Sequence, residues 1–139
     1  MRFWDTSALV PLCVDEPESV GVKALLRDDP SMVVWWGSVI ECWSALARRR
    51  REGVLRGADE ESAQTFLRTL RESWIEVLPG EDVRARAGRL LRLHPIRSAD
   101  AIQLAAALVW AGDPTSGEIV VYDRRLREAA RLEGLSPRP

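Results

Sequence analysis

Four acidic residues stand where they could share one metal ion: Asp5, Glu41, Asp100 and Asp123. Asp5 and Asp123 each follow a short apolar run that predicts a strand. Glu41 and Asp100 have only apolar or small immediate neighbours in the sequence. An acid in such surroundings ionises readily only beside a cation, a charged partner or a hydrogen-bond donor. The pattern therefore predicts four carboxylates around a divalent cation.

Carboxylate oxygens are ligands that Mg²⁺ and Mn²⁺ prefer. Such a cation polarises a phosphate oxygen and lowers the pKa of a bound water, and a second metal about 4 Å away could stabilise the leaving oxygen. This chemistry needs no catalytic histidine, and the sequence has only one, His94, which we expect to be a structural or surface residue. Taken singly, Asp5 could be a turn residue and Asp100 a partner of a helix dipole. The prediction of phosphodiester hydrolysis depends on all four acids together.

Composition favours one domain spanning residues 1–139, with 46% hydrophobic residues to fill a core. The formal net charge of −1 argues against a protein that coats nucleic acid, but not against a nuclease. Cys13 and Cys42 lack the paired spacing of a zinc site and are interpreted as buried thiols. Without an apolar run of about 20 residues or an apolar signal segment, we expect a soluble, cytoplasmic protein.

Short apolar runs alternate with helical patterns along the chain. Strands are predicted at 1–4, 32–36, 74–78 and 118–122, with a short edge strand after Leu135. Helices are predicted at 8–13, 18–27, 39–51, 58–73, 82–93, 98–111 and 126–132, with Ser38 and Ser98 as N-caps. The third helix should bury Ile40 and Trp43, and the fourth Phe66. The alternation predicts a three-layer α/β/α domain with a mainly parallel sheet of four or five strands.

This topology would bring the four acids to one place, because ligands of open parallel sheets bind outside the carboxyl ends of the strands. Asp5 and Asp123 end predicted strands. Glu41 lies early in the helix that follows the second strand, and Asp100 lies in the first turn of an apolar helix.

The acids lie in stretches that match one known pattern in order and spacing: FWDTSAL (3–9), SVIECWSAL (38–46), SADAIQLAAA (98–107) and VVYDRRL (120–126), followed by AARLEGL (129–135). Together these stretches resemble the PIN-domain family, especially VapC-type toxins of toxin–antitoxin modules. The resemblance implies a PIN-like fold and an Mg²⁺- or Mn²⁺-dependent endoribonuclease. It also implies that Asp5, Asp100 and Asp123 ligate metal. Glu41 would hold metal directly or through water and orient the attacking water.

The same resemblance implies partners and supporting residues. An RNA substrate, a VapB-like antitoxin that inserts a basic side chain near the acids, and a homodimer through helices near residues 37–75 are expected. Ser7 would hydrogen-bond a ligand or Asp5, or else cap the first helix. Arg97, Arg124 and Arg125 could contact RNA phosphates or could simply be solvated.

One position departs from the family pattern. The family often has Thr or Ser two residues before the last acid, and this chain has Val121 there. The missing hydroxyl leaves open a PIN-like binding module with weakened activity. A phosphatase with Asp5 as covalent nucleophile is a weaker alternative, because position 7 is serine instead of an acid and Lys23 lies too early for the required lysine.

Overall fold

A five-stranded, all-parallel sheet forms the centre of the protein, whose computed structural model describes residues 1–139. The strands are β1 (Arg2–Trp4), β2 (Met32–Trp35), β3 (Ile75–Val77), β4 (Glu118–Val120) and β5 (Ser136–Arg138), in the order β3-β2-β1-β4-β5. The helices are α1 (Thr6–Cys13), α2 (Ser19–Asp28), α3 (Ser38–Arg51), α4 (Gly57–Ser73), α5 (Glu81–Leu93), α6 (Ser98–Ala111) and α7 (Arg124–Leu132). The predicted edge strand exists as β5, and the predicted fold class is confirmed.

Neighbouring residues of the central strands enter opposite cores, as expected for a sheet that helices cover on both faces. Phe3 packs with α5, α6 and α7, whereas Trp4 packs with α1, α3 and α4. Both side chains are fully buried. In the parallel register, Phe3 lies beside Val33 of β2 and Ile119 of β4. The carboxyl ends of these three short, parallel strands therefore lie at one edge of the sheet.

Helix α6 is the most buried helix, as its nearly continuous apolar sequence predicts. Its buried residues run from Ala101 through Leu108, with Ile102 partly exposed and Gln103 as the only polar member. The helix packs closely against α5 and reaches β2 and β3. Gln103 is therefore a polar side chain inside the protein.

The predicted serine caps are wrong. Gly37 and Arg97 occupy the cap positions of α3 and α6, and neither helix has a side-chain cap. Ser38 is the first residue of α3, and its hydroxyl is buried against the amide of Gln103. The buried amide therefore takes the serine hydroxyl that would otherwise cap the helix.

Three apolar side chains that were predicted to point inward are exposed instead: Ile40 by 52%, Trp43 by 44% and Phe66 by 37%. The buried stripes of α3 and α4 are narrower than their apolar patterns, and they consist of Val39, Cys42, Leu46, Ala63, Leu67 and Leu70. Trp43 lies under the Arg71 guanidinium, 5.4 Å from the ring centroid, in a cation–π contact. This side of the protein consequently presents apolar surface.

The predictions for the two cysteines and for His94 hold with one qualification. Cys42 is buried, but Cys13 is only partly buried, and both are free thiols. His94 is structural: its side chain is 8% exposed and its Nε2 lies 2.7 Å from Glu133 Oε1. No helix combines the length and apolar character needed to cross a membrane.

Candidate active site

Strand ends and first helical turns position the four acids. Asp5 directly follows β1 and is the N-cap of α1, and Asp123 is the N-cap of α7 shortly after β4. Glu41 and Asp100 lie in the first turns of α3 and α6. These are the topological positions that the sequence predicted. Backbone N–H groups at such helix starts favour negative charge.

Asp5 is almost completely buried, with 4% of its surface exposed. Its Oδ2 accepts hydrogen bonds from the backbone N–H of Ser7 at 2.9 Å and from the Ser7 hydroxyl at 2.5 Å. The Ser7 Oγ in turn accepts from the backbone N–H groups of Tyr122 at 2.9 Å and Asp123 at 3.3 Å. Ser7 therefore contacts Asp5, which was one of the alternatives predicted for it. Its hydroxyl also links Asp5 to the segment that carries Asp123.

Glu41 is held from the protein interior by a residue that the sequence did not single out. Gln103 Nε2 donates to Glu41 Oε1 at 3.0 Å and also lies 3.0 Å from Thr6 Oγ1 and 3.1 Å from Ser38 Oγ. Gln103 is 1% exposed. Its signal in the sequence was its position, because it is the only polar residue between Ala101 and Leu108 and follows Asp100 by three residues.

Asp100 and Asp123 lie nearer the surface. Asp100 is partly buried, and Asp123 is exposed with its Oδ1 accepting the backbone N–H of Leu126 at 2.8 Å. The carboxylates of Asp100 and Asp123 are close enough to repel each other. Arg97 and Arg125 lie near enough to favour the ionised form of Asp100. These two acids lie at the solvent-facing end of the site, beside positive charge.

Burial and mutual repulsion disfavour ionisation of Asp5 and Glu41, which we call the inner acids. Burial raises the pKa of Asp5 to about 6 against the opposing hydrogen bonds from Ser7, and repulsion by Asp100 adds to the shift. Burial likewise raises the pKa of Glu41 to about 7, despite the hydrogen bond from Gln103, with repulsion from Asp5 and Asp100. The pKa of Asp100 is raised by burial and by Asp123. Glu41, Asp5 and Asp100 thus lie close enough to interact, and Asp123 acts on Asp100. We call these four residues the acid row.

The donor chemistry of this row fits a hard divalent cation, because every donor is a carboxylate oxygen and the inner acids lack a compensating charge. No group of three or more His, Cys, Asp or Glu side chains is placed so that it could hold a metal ion, so the four predicted carboxylates do not form a ready-made metal cage. Mg²⁺ does not require such a cage, since it commonly keeps several waters and takes one or two carboxylates plus substrate phosphates. The residues fit a partly hydrated ion.

Val121 lies outside the polar part of the site. Its side chain is fully buried in the apolar core beneath α6 and α7. The hydroxyl groups around the acids come instead from Ser7, Thr6 and Ser38, which contact Asp5 or Gln103. Arg97, Arg124 and Arg125 are exposed beside the outer acids.

The fold and the acid row together define an α/β protein whose carboxylates gather at the carboxyl edge of a parallel sheet. A family model described as "PIN domain" matches residues 2–132, and the chain belongs to that family. Among curated proteins, it is 33% identical over 141 residues to Ribonuclease VapC45 of Mycobacterium tuberculosis (strain CDC 1551 / Oshkosh), covering 99% of this chain and 94% of that protein. Ribonuclease VapC46 of strain ATCC 25618 / H37Rv is 33% identical over 135 residues, with 96% and 93% covered.

Solved structures support the fold. The crystal structure of FitAcB from Neisseria gonorrhoeae contains a chain with a TM-score of 0.68 and 16% identity, with 100% of this chain and 97% of that chain covered. A toxin-antitoxin complex from Klebsiella pneumoniae gives a TM-score of 0.56 at 16% identity, with 90% and 89% covered.

Proposed function

We propose that the protein is a metal-dependent endoribonuclease, the toxin of a VapBC-type toxin–antitoxin pair, which hydrolyses RNA phosphodiesters. One observation carries the proposal: Asp5, which is 4% exposed, and the partly buried Glu41 and Asp100 lie together at the carboxyl edge of a PIN-family sheet. Burial, with repulsion from neighbouring carboxylates, raises the pKa of all three. Perturbed acids in such a position are typical of functional sites. The relatives described above carry the name ribonuclease.

Each acid has a distinct place in this proposal. Asp5, Asp100 and Asp123 would hold Mg²⁺ or Mn²⁺, and Glu41 would hold it directly or through water and orient the attacking water. A bound divalent cation supplies Lewis-acid activation of water and neutralises charge on the phosphate. Ser7 keeps the Asp5 carboxylate in one orientation through its short hydrogen bond. Arg97 and Arg125, which already act on Asp100, would bind the RNA phosphates near the open end of the row.

RNA cleavage by the purified protein tests the activity directly. We expect cleavage in Mn²⁺ or Mg²⁺ that EDTA abolishes, and we expect Asp100→Asn to reduce the rate by at least about a hundredfold. Asp59→Asn, an exposed acid at the start of α4, is the matched control and should cleave normally. Cleavage that persists in EDTA, or at full rate in Asp100→Asn, would refute the proposal.

The alternative of an inactive binding module depended on Val121. Because that side chain is buried in the apolar core, its identity does not remove a hydroxyl group from among the acids. Ser7 and Thr6 provide hydroxyl groups there. Nothing in the site favours the phosphatase alternative either, since the hydroxyl of Ser7 donates to the carboxylate that would act as nucleophile.

The proposed antitoxin would supply the positive charge that the inner acids lack. A basic side chain inserted beside Asp5 and Glu41 would offset the repulsion between them. Co-expression with a small protein encoded beside this chain should yield a complex and relieve growth arrest. Asp5→Asn alone should also relieve the arrest, because it removes an essential acid.

A homodimer would bury the apolar surface of α3. Ile40 and Trp43 lie about one turn apart on that helix and are half exposed. We expect light scattering to show a dimer that Ile40→Asp converts to monomer. Val20→Asp, at an 81% exposed position on α2, should leave the dimer intact. A wild-type monomer at micromolar concentration would contradict this part of the proposal.

A further inference from the structure

The acid row has an internal support made of two similar residue pairs. On α3, Ser38 precedes Glu41 by three residues, and on α6, Asp100 precedes Gln103 by the same spacing. Residues at this spacing lie on one helix face. Each pair therefore places one acid and one buried polar residue side by side. The polar residues Ser38 and Gln103 then contact each other across the interface between the helices.

The Gln103 amide is the central contact between the elements that carry three of the acids. Its nitrogen lies within 3.1 Å of Thr6 Oγ1, Ser38 Oγ and Glu41 Oε1, and Ser38 Oγ lies 3.4 Å from its carbonyl oxygen. Thr6 begins α1 directly after Asp5. An amide nitrogen has two N–H groups to share among these acceptors. The side chain thus joins α1, α3 and α6 next to the acids.

The Glu41 side chain has other conformations available, and the hydrogen bond from Gln103 selects one of them. Glu41 is partly buried, and repulsion from Asp5 and Asp100 pushes its carboxylate away from the row. A glutamate has three rotatable side-chain bonds, so without a fixed donor it could turn toward solvent and escape that repulsion. Gln103 donates to Glu41 Oε1 at 3.0 Å. The Thr6 side chain also hydrogen-bonds this carboxylate, but it stabilises the ionised form less than Gln103 does.

We propose that Gln103 is a positioning residue, whose buried amide holds the Glu41 carboxylate in the acid row and thereby sets the affinity of the site for its divalent cation. The inference rests on the proposed function. Groups that orient a metal ligand typically change metal affinity about 10- to 100-fold when they are removed. Gln103 has no contact with solvent, so it acts through Glu41 and not on the RNA.

Mn²⁺ titration by calorimetry or electron paramagnetic resonance tests the inference without any RNA. Gln103→Met keeps a similar side-chain length but removes the donor, and we expect it to raise the Mn²⁺ Kd at least about tenfold. Ser38→Ala removes another partner of the same amide and leaves the bond to Glu41 in place. This control should change the Kd by no more than about threefold, even if it lowers the melting temperature.

A double-mutant cycle separates positioning from general loosening of the core. In the Glu41→Gln background, Gln103→Met should have little further effect on the Kd, because the group it positions no longer carries charge. Additive effects of the two changes, or equal losses in Gln103→Met and Ser38→Ala, would overturn the inference. If Gln103→Met does not fold, Gln103→Asn replaces it, since that amide is one methylene too short to reach Glu41.

The metal-dependent activity and the positioning role of Gln103 can be refuted separately. If the wild-type protein binds no Mn²⁺, the proposed metal-dependent activity fails, and the role of Gln103 with it. If the wild-type protein binds Mn²⁺ and Gln103→Met binds it equally well, only the role of Gln103 is wrong.

Discussion

Replacing Asp5 with Asn should make the metal-free protein more stable while removing its activity. The structure provides for the substitution, because both hydrogen bonds from Ser7 reach the same oxygen, Oδ2. An asparagine can place its carbonyl oxygen there and keep both bonds. Its amide then occupies the position of Oδ1 without adding negative charge beside Asp100. The variant therefore resembles the protonated wild-type side chain, which the buried position prefers.

The size of the effect follows from the pKa of Asp5, which burial raises from 3.8 to about 6. A pKa difference of about two between the unfolded and the folded protein corresponds to about 3 kcal/mol of unfolding free energy. The folded protein holds the proton more tightly than the unfolded chain, so the wild type loses stability as the pH rises from about 4 to above 6. The advantage of Asp5→Asn should be about 3 kcal/mol at pH 8 and about half of that at pH 5.

Urea denaturation in EDTA at pH 5 and pH 8 measures both values. Asp123→Asn is the control, because Asp123 is exposed and asparagine also caps helices well. Its effect should stay within about 0.5 kcal/mol at both pH values. A destabilised Asp5→Asn protein at pH 8, or an advantage that does not shrink at pH 5, would show that burial of this charge is not costly. Saturating Mn²⁺ should stabilise the wild type and not the variant.

Three further outcomes are expected. Mn²⁺ affinity, measured by calorimetry, should rise between pH 5.5 and pH 8, because Glu41 with its pKa of about 7 must ionise before it can bind a cation; a flat profile would contradict this. Burial opposes ionisation of Glu133, but hydrogen bonds from Arg89 and His94 outweigh it and lower the pKa of this carboxyl. Glu133→Gln should therefore reduce the unfolding free energy by about 1–2 kcal/mol at pH 7, and by less as the pH falls below about 4, as urea denaturation at each pH would measure. Val121→Thr should lower unfolding free energy by about 1–3 kcal/mol without improving Mn²⁺ affinity, and tighter binding would mean that the new hydroxyl reaches the acids.

The predictions from sequence were best where a local pattern and the tertiary environment agree. Phe3 and Trp4 of β1 and Met32 to Val34 of β2 are apolar and buried, because helices cover both faces of the parallel sheet. The inward faces of α3 and α4 were predicted less well. Apolar spacing cannot distinguish a side chain that meets the core, such as Leu46, from one such as Ile40 that meets solvent or a second chain.

The positions of Asp5 and Asp123 were predictable because topology alone brings the carboxyl ends of parallel strands together. The contacts that support Glu41 were not. Gln103 lies 62 residues from Glu41 in sequence, and only the packing of α6 against the start of α3 brings the amide to the carboxylate. Ser38 was predicted as a cap because local pattern cannot show that a buried partner will take its hydroxyl. Long-range polar contacts of this kind carry no periodic signal in a single sequence.

Acids at the amino ends and at the carboxyl ends of the strands have opposite charge environments. At the start of β4, Glu118 is 2.6 Å from Arg2 and 2.7 Å from Arg138, and these arginines lower its pKa although the carboxylate is partly exposed. At the carboxyl edge, Asp5 and Glu41 are more deeply placed, yet no basic side chain contributes to their pKa shifts. The chain contains 20 Lys and Arg residues, so positive charge is not scarce. A buried acid without a basic partner lowers stability, whereas an exposed acid without one costs little. That arrangement is expected if the missing charge is a cation that arrives from solution, because a resident arginine would occupy the position and block the chemistry.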